Sequence, residues 1–369
     1  MSLTFELNPA IKKLPVYLPG KPIEEVAREL GLAPESICKL ASNESPLGPS
    51  PKAIEAMKNA LNTVNLYPDG NAFYLKEKLS KKLNLPSEYI IVGNGSNELL
   101  ELIAHAMLQP CDECIMSQYS FAVYPIVTKL SSAEIVMTPA KNYGNDLDAM
   151  LKAITSKTRI IFIANPNNPT GTHLSEKELK NFIEKVPQNI LIVIDEAYTE
   201  YQTTPPDLVP LIRNNEKNNL VICRTFSKIY GLAGIRIGFA MASPEFIQAL
   251  NKVREPFNSN QLAQVGAMAA LDDTEFLDYA RNVNLSGLEY LQKEFDKMGL
   301  EYIPSVANFI LVKVGNGIEV FQSMEKKGII IRPVNNYNLP EWIRITVGTE
   351  EQNIKVIKGL KEILGKNNI

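Results

Sequence analysis

The sequence predicts an α/β fold in which a large domain is built on a mainly parallel sheet flanked by helices, with a smaller α+β domain beside it. Three observations carry that prediction. Short apolar runs of strand length alternate with helical patterns between residues 89 and 242, and such alternation packs as a parallel sheet covered on both faces. The residues just after those runs are small or polar, as expected where strand ends line a crevice. Beyond about residue 260 the texture changes to two long helical patterns and a few short strands, which marks a second unit.

Taken in order, the apolar periodicity places a strand at 89–93, a helix at 96–108, strands at 114–117 and 135–137, and a helix at 147–154. A strand at 159–164, a helix at 175–185 and strands at 190–194, 220–223 and 235–242 follow. Helices over 261–271 and 274–298, strands near 307–313, 329–332 and 342–346, and an amphipathic helix over 350–364 complete the chain. Upstream, the Pro-rich SNESPLGPSP at 42–51 puts Pro51 at a helix start, ahead of AIEAMKNAL. At about 150 residues per domain, 369 residues suggest two domains. The division read here is an N-terminal arm and part of the small domain (1–50), a large domain (51–260) and a small C-terminal domain (261–369).

Composition narrows the function. Hydrophobic residues at 45% and charged residues at 21% describe an ordinary folded chain. With 38 basic and 41 acidic residues the net charge is -3, so there is no cationic field for a nucleic-acid backbone. No apolar run approaches the roughly 18 residues of a spanning helix, and the N-terminus carries no export-signal pattern; no membrane partner and a cytoplasmic location are expected. Four cysteines, at 38, 111, 114 and 223, are too few for a disulfide framework. Cys111 and Cys114 form a CxxC, but the second pair of a zinc site is missing and only two histidines exist, so no metal is expected and QPCDE reads as a turn.

The strand ends carry the chemistry. GNGSNE, following the first strand, lacks the third glycine of a dinucleotide fingerprint. What remains is a small-residue turn whose free N–H groups suit one phosphate, although such a turn entering a helix needs no ligand. Lys228 follows a buried strand, flanked by Thr225 and Ser227 and followed by Gly231, Gly234 and Arg236, a setting that lowers an amine's pKa and makes it a nucleophile. Asp195 ends the most apolar strand, where a carboxylate requires a cationic partner; read alone, a structural salt bridge would also serve. A Schiff-base lysine, a carboxylate for a pyridinium nitrogen, an aromatic ring to stack and a phosphate cup together describe a pyridoxal 5'-phosphate site. Phe121, Tyr124, Phe226 and Trp342 read as packing residues, His105 and His173 as structural or solvent-facing, and Glu98 as a carboxylate compensating a helix dipole.

These stretches, with YLPGKPIEEVARELG, KLASNESPLGPSP, YPDG, ANPNNPTGT, VIDEAYTEY, RTFSKIYGLAGIRIGFA and GIIIRPVNNYNLPEWIRITVGTEEQN, resemble the fold-type I aminotransferases over essentially the full length. Within them the chain is most similar to the histidinol-phosphate aminotransferases. The resemblance implies that Lys228 carries the cofactor and moves the proton at the reacting carbon. It gives Asp195 the pyridine nitrogen, Tyr119 the stacking face, and Asn168 and Tyr198 the ring hydroxyl. Gly95, Ser96, Asn97, Thr225, Ser227 and Arg236 would receive the cofactor phosphate, with Tyr67 reaching over from the second subunit of a homodimer with shared active sites. Arg344, Arg332, Tyr17 and Asn43 would contact the substrates, histidinol phosphate and glutamate or 2-oxoglutarate; Tyr17 reads equally as a partly buried surface aromatic. A planar guanidinium can take a phosphate in one half-reaction and a carboxylate in the other. Competing readings are an aromatic amino acid aminotransferase, a threonine-phosphate decarboxylase-like lyase, and the sensor half of a transcription regulator, the last lacking any added DNA-binding helices.

Overall fold

The structure, a computed structural model, describes residues 6, 9–12, 14, 16 and 20–365. Its largest sheet has seven strands, β1 (Ile90–Gly93), β2 (Glu113–Ser117), β3 (Glu134–Thr138), β4 (Thr158–Ala164), β5 (Leu191–Asp195), β6 (Leu220–Thr225) and β7 (Gly238–Met241). They lie in the order β1-β7-β6-β5-β4-β2-β3. The last five pair in parallel, while β7 runs antiparallel between β1 and β6. Both faces are covered, which is why the strands read as continuous apolar runs: Ile161, Ile163, Ile192, Ile194 and Ile222 enter one core and Ile160, Phe162, Val193 and Val221 the other.

Helix starts follow local chemistry. Ser50 caps Pro51–Ala60 by accepting from the Ala53 N–H, with proline at the first turn. Ser175 and Glu178 form a reciprocal capping box on Glu176–Lys185. The strand expected over 235–242 is shorter: Ala233–Ile235 is a 3-10 turn, Arg236 takes a left-handed φ of 58°, and pairing begins at Gly238. The cause is Arg236, whose Nη1 donates to the Ala233 carbonyl at 2.9 Å and to Ser227 Oγ at 3.4 Å and so bends the chain toward the β6 end.

A second sheet of four strands, in the order Tyr302–Ile303, Phe309–Lys313, Leu339–Thr346, Arg332–Val334, is antiparallel throughout. It shares a core with helices Thr274–Lys297 and Glu350–Gly365 through Leu291, Phe295, Ile310, Ile343, Val356 and Leu360. The N-terminal segment joins this unit: Cys38–Lys39 pairs in parallel with Ile329–Ile330. Helix Gln261–Leu271 packs with the large sheet, contributing Ala263, Ala267 and Ala270 to its core, and helix Thr274–Lys297 adds Ala280 to the same core. Among the described residues no helix is long and apolar enough to cross a membrane.

Candidate active site

The parallel strands deliver their carboxyl ends to one edge of the large sheet, and there a cavity of about 400 Å³ lies against the second unit. Its walls include Asn43, Ser96, Asn97, Asn168, Asp195, Tyr198, Thr225, Ser227, Lys228, Arg236, Arg332 and Arg344. A larger cavity of about 940 Å³ adjoins it across Gly20, Arg332 and Tyr337. That space is mostly apolar, and its Lys129 is paired with Glu134 at 2.6 Å, so the chemistry belongs to the smaller one.

One end is a cup of donors. Helix Ser96–Met107 starts at Gly95, whose φ of 83° suits glycine and which offers no side-chain cap, leaving the helix N-terminus available to an anion. A Cβ at Gly95 would collide with the Arg236 guanidinium, and one at Gly238 would come within 2.6 Å of the Ser96 nitrogen. Thr225 Oγ1 donates to Ser227 Oγ at 3.0 Å and accepts from the Ser227 N–H at 3.1 Å. Hydroxyls, backbone N–H groups and one guanidinium converge here, a set that fits a phosphate.

The middle holds the titratable groups. Asp195 is buried; Tyr124 donates to its Oδ2 at 2.9 Å and the Ala197 N–H to its Oδ1 at 3.2 Å. Burial pushes its carboxyl up to about 6, against the pull of those donors and of Lys228. At neutral pH it is ionised in an apolar surround, which suits a cationic ring nitrogen. Lys228 Nζ lies 3.5 Å from the Ser42 carbonyl and 5.5 Å above the Tyr198 ring. Burial pushes the Tyr198 phenol up to about 12, so it remains a donor.

The other end comes from the second unit and the N-terminal segment. Arg344 is buried, and it donates to Asn168 Oδ1 at 2.5 Å and to the Ala41 carbonyl at 2.8 Å. Arg332 stands directly opposite it on the neighbouring strand, so two like charges share one cavity wall. Asn43 donates to the Tyr198 hydroxyl at 2.9 Å and accepts from Thr346 Oγ1 at 3.3 Å.

The profile of the family described as aminotransferase class I and II matches residues 35–360. The chain belongs to that family. Among aminotransferases similar to it, the histidinol-phosphate aminotransferase of Akkermansia muciniphila is 48% identical over 365 residues, covering 99% of this chain and 100% of that one. That of Caldicellulosiruptor saccharolyticus is 48% identical over 357 residues, 96% and 99% of the two chains. The crystal structure of histidinol-phosphate aminotransferase from Sinorhizobium meliloti in complex with pyridoxal-5'-phosphate superposes with a TM-score of 0.89 at 27% identity, covering 99% of each chain.

One expected aminotransferase contact falls elsewhere. Tyr119 is not in the cavity wall: its ring stacks on Tyr143 at 6.0 Å and its carbonyl accepts from Asn167. Phe121 lines the cavity in its place, a correction to its reading as packing. The cause is the turn closed by the Ser120 N–H on the Ser117 carbonyl at 2.9 Å, which delays entry into the cavity by two residues. Tyr67, expected to serve the second subunit's site and not its own, is 81% exposed and stacks on Phe257 at 4.5 Å. Tyr17 lies outside the described residues. Tyr337 lines the cavity without having been singled out; its only signal is its place between the two arginines in sequence.

Proposed function

We propose that this aminotransferase holds pyridoxal 5'-phosphate in the 400 Å³ cavity and moves the amino group of L-histidinol phosphate to 2-oxoglutarate, giving imidazole acetol phosphate and glutamate in histidine biosynthesis. The observation that carries the substrate assignment is the opposition of Arg332 and Arg344 at the cavity wall. Like charges directly opposite on adjacent strands are unfavourable, and an anionic ligand between them offsets that cost. A phosphate or a carboxylate fits the same guanidinium pair. The names of the relatives support the reading.

When bound, the cofactor supplies the electron sink. Lys228 anchors it and takes, then returns, the proton at the substrate Cα. Asp195 keeps a proton on the ring nitrogen, and Asn168 and Tyr198 hydrogen-bond the ring hydroxyl. Phe121 packs on the ring face, and Gly95, Ser96, Asn97, Thr225, Ser227 and Arg236 hold the phosphate. Arg344, with Arg332, orients the substrate anion.

A homodimer belongs to the same proposal. Leu61, Val64, Leu66, Tyr67, Phe73, Tyr74 and Phe257 form an exposed apolar set, which a second copy would cover, with Tyr67 reaching the partner's cup. A monomer at micromolar concentration by light scattering would remove this part. Cytoplasmic location is supported by four cysteines with no disulfide.

The test is a single-turnover titration of cofactor-loaded protein with histidinol phosphate, tyrosine, phenylalanine and O-phosphothreonine, following the visible absorbance of the bound cofactor. Histidinol phosphate is expected to react fastest. Faster reaction with the aromatic amino acids would make the chain an aromatic aminotransferase.

A further inference from the structure

We propose that Tyr124 is a positioning residue for this reaction, a fixed O–H donor that orients the Asp195 carboxylate toward the ring nitrogen of the cofactor. The inference rests on the cofactor reading above and deepens it. Tyr124 lies on helix Val123–Leu130 with its side chain fully buried. Its ring stacks on Phe162 at 4.8 Å and 8° and meets Phe121 edge-on at 5.8 Å. Its backbone is fixed too: the Tyr124 N–H donates to the Phe121 carbonyl at 3.1 Å, and Thr128 Oγ1 donates to the Tyr124 carbonyl at 2.8 Å. The clamped ring delivers its hydroxyl to Asp195 Oδ2 at 2.9 Å.

An ionised carboxylate only accepts, so Tyr124 donates. Burial and the adjacent Asp195 charge push the phenol well above its ordinary range, so it keeps its proton and is neither acid nor base for the reaction. With Tyr124 on Oδ2 and the Ala197 N–H on Oδ1, the plane of the carboxylate is set from both sides.

The charge of Asp195 depends on the same contact. Lys228 faces it as a cation, whereas Glu196, Tyr198 and Cys223 face it as groups whose negative charge would oppose its own. Burial favours the neutral acid, and a neutral acid cannot keep the ring nitrogen protonated. The Tyr124 hydrogen bond opposes that drift. One backbone hydrogen bond joins Phe121 and Tyr124, so the ring lining the cavity and the phenol on Asp195 belong to the same turn.

Tyr124→Phe keeps the ring and removes the donor. The apoprotein's affinity for pyridoxal phosphate, measured from pH 5 to 8, falls as Asp195 is protonated. In the variant the midpoint of that fall is expected to move up by roughly one pH unit, as for loss of one charge-assisted hydrogen bond. In the loaded enzyme kcat falls about tenfold while both KM values hold, and the 15N NMR signal of ring-labelled cofactor moves toward unprotonated pyridine. Phe162→Leu loosens the stack but leaves the hydroxyl, and is expected to move the midpoint by less than Tyr124→Phe does. An unmoved midpoint and nitrogen signal in Tyr124→Phe, or an equal shift in Phe162→Leu, overturns the proposal while the cofactor reading stands. A parent protein that binds no pyridoxal phosphate overturns both.

Discussion

At one end of the cavity, Ser96, Asn97, Thr225, Ser227 and Arg236 stand at or next to the ends of β1, β6 and β7, all in one sheet. At the other, Asn43, Arg332 and Arg344 come from segments about 300 residues apart in the chain, held by Arg344 on the Ala41 carbonyl, Thr346 on Asn43 and Asn308 on the Asn43 carbonyl. The cup is set within the large sheet and the turns that leave it. The arginine wall is set by how the second unit sits on the first. Cofactor affinity and substrate KM should therefore respond to different substitutions, and the contact from Arg344 to Asn168 is where they meet.

The strongest way to break this comparison is at its centre. Lys228→Ala is expected to lower transamination by more than about 10⁴-fold, with the melting temperature of the apoprotein kept, as checked by single-turnover absorbance and thermal unfolding. Turnover at the parent rate would remove Lys228 from its role.

Asp195→Asn should lower kcat by about 10² to 10³-fold with smaller loss of cofactor binding, since a neutral amide cannot hold the ring nitrogen protonated. Its stability effect runs the other way. Asp195 is near 6 when folded, above its ordinary carboxylate range. Its contribution to stability is thus present at acid pH and lost as pH rises through 6. Without cofactor, the asparagine variant should be more stable than the parent by about 1–3 kcal/mol at pH 7.5 and lose that advantage toward pH 4; chemical denaturation at the two pH values checks it.

Arg344→Lys sharpens the contrast between the ends: both substrates should show KM raised about 10- to 100-fold, because a point charge does not reproduce the planar fork, while cofactor affinity changes little. A KM change for only one substrate would assign the two anions to different groups. The smallest effect tests the aromatic correction. Phe121→Leu should weaken cofactor binding several-fold through lost ring contact, and Tyr119→Phe should leave it unchanged, both by equilibrium titration.

The strand-end rule exposed most of the cup in the sequence because those residues close an apolar run or follow it within four positions, Ser96 and Asn97 after β1 and Thr225 to Lys228 at the end of β6; Arg236 instead precedes β7. It misplaced the ring at 119 because a tight turn after Ser117 consumes two residues that carry no signal of their own. Helix Val123–Leu130 was hidden for a different reason. VYPIVTKL has two valines, an isoleucine and a proline, weak helix formers, and its helix depends on burying Tyr124 and Val127. The opposition of Arg332 and Arg344 is a fact of register across an antiparallel pair, and no spacing along the chain encodes it.

The parallel pairing of Cys38–Lys39 with Ile329–Ile330 also has a consequence for biosynthesis. Residues 38–43 leave the ribosome long before their partners, and at roughly 5–20 residues per second the wait is about 15–60 s. During that time the cup can assemble on a complete large sheet, whereas Asn43 still lacks Thr346 to hold it. A nascent chain stalled before residue 329 would thus present a finished phosphate cup with no arginine wall opposite it.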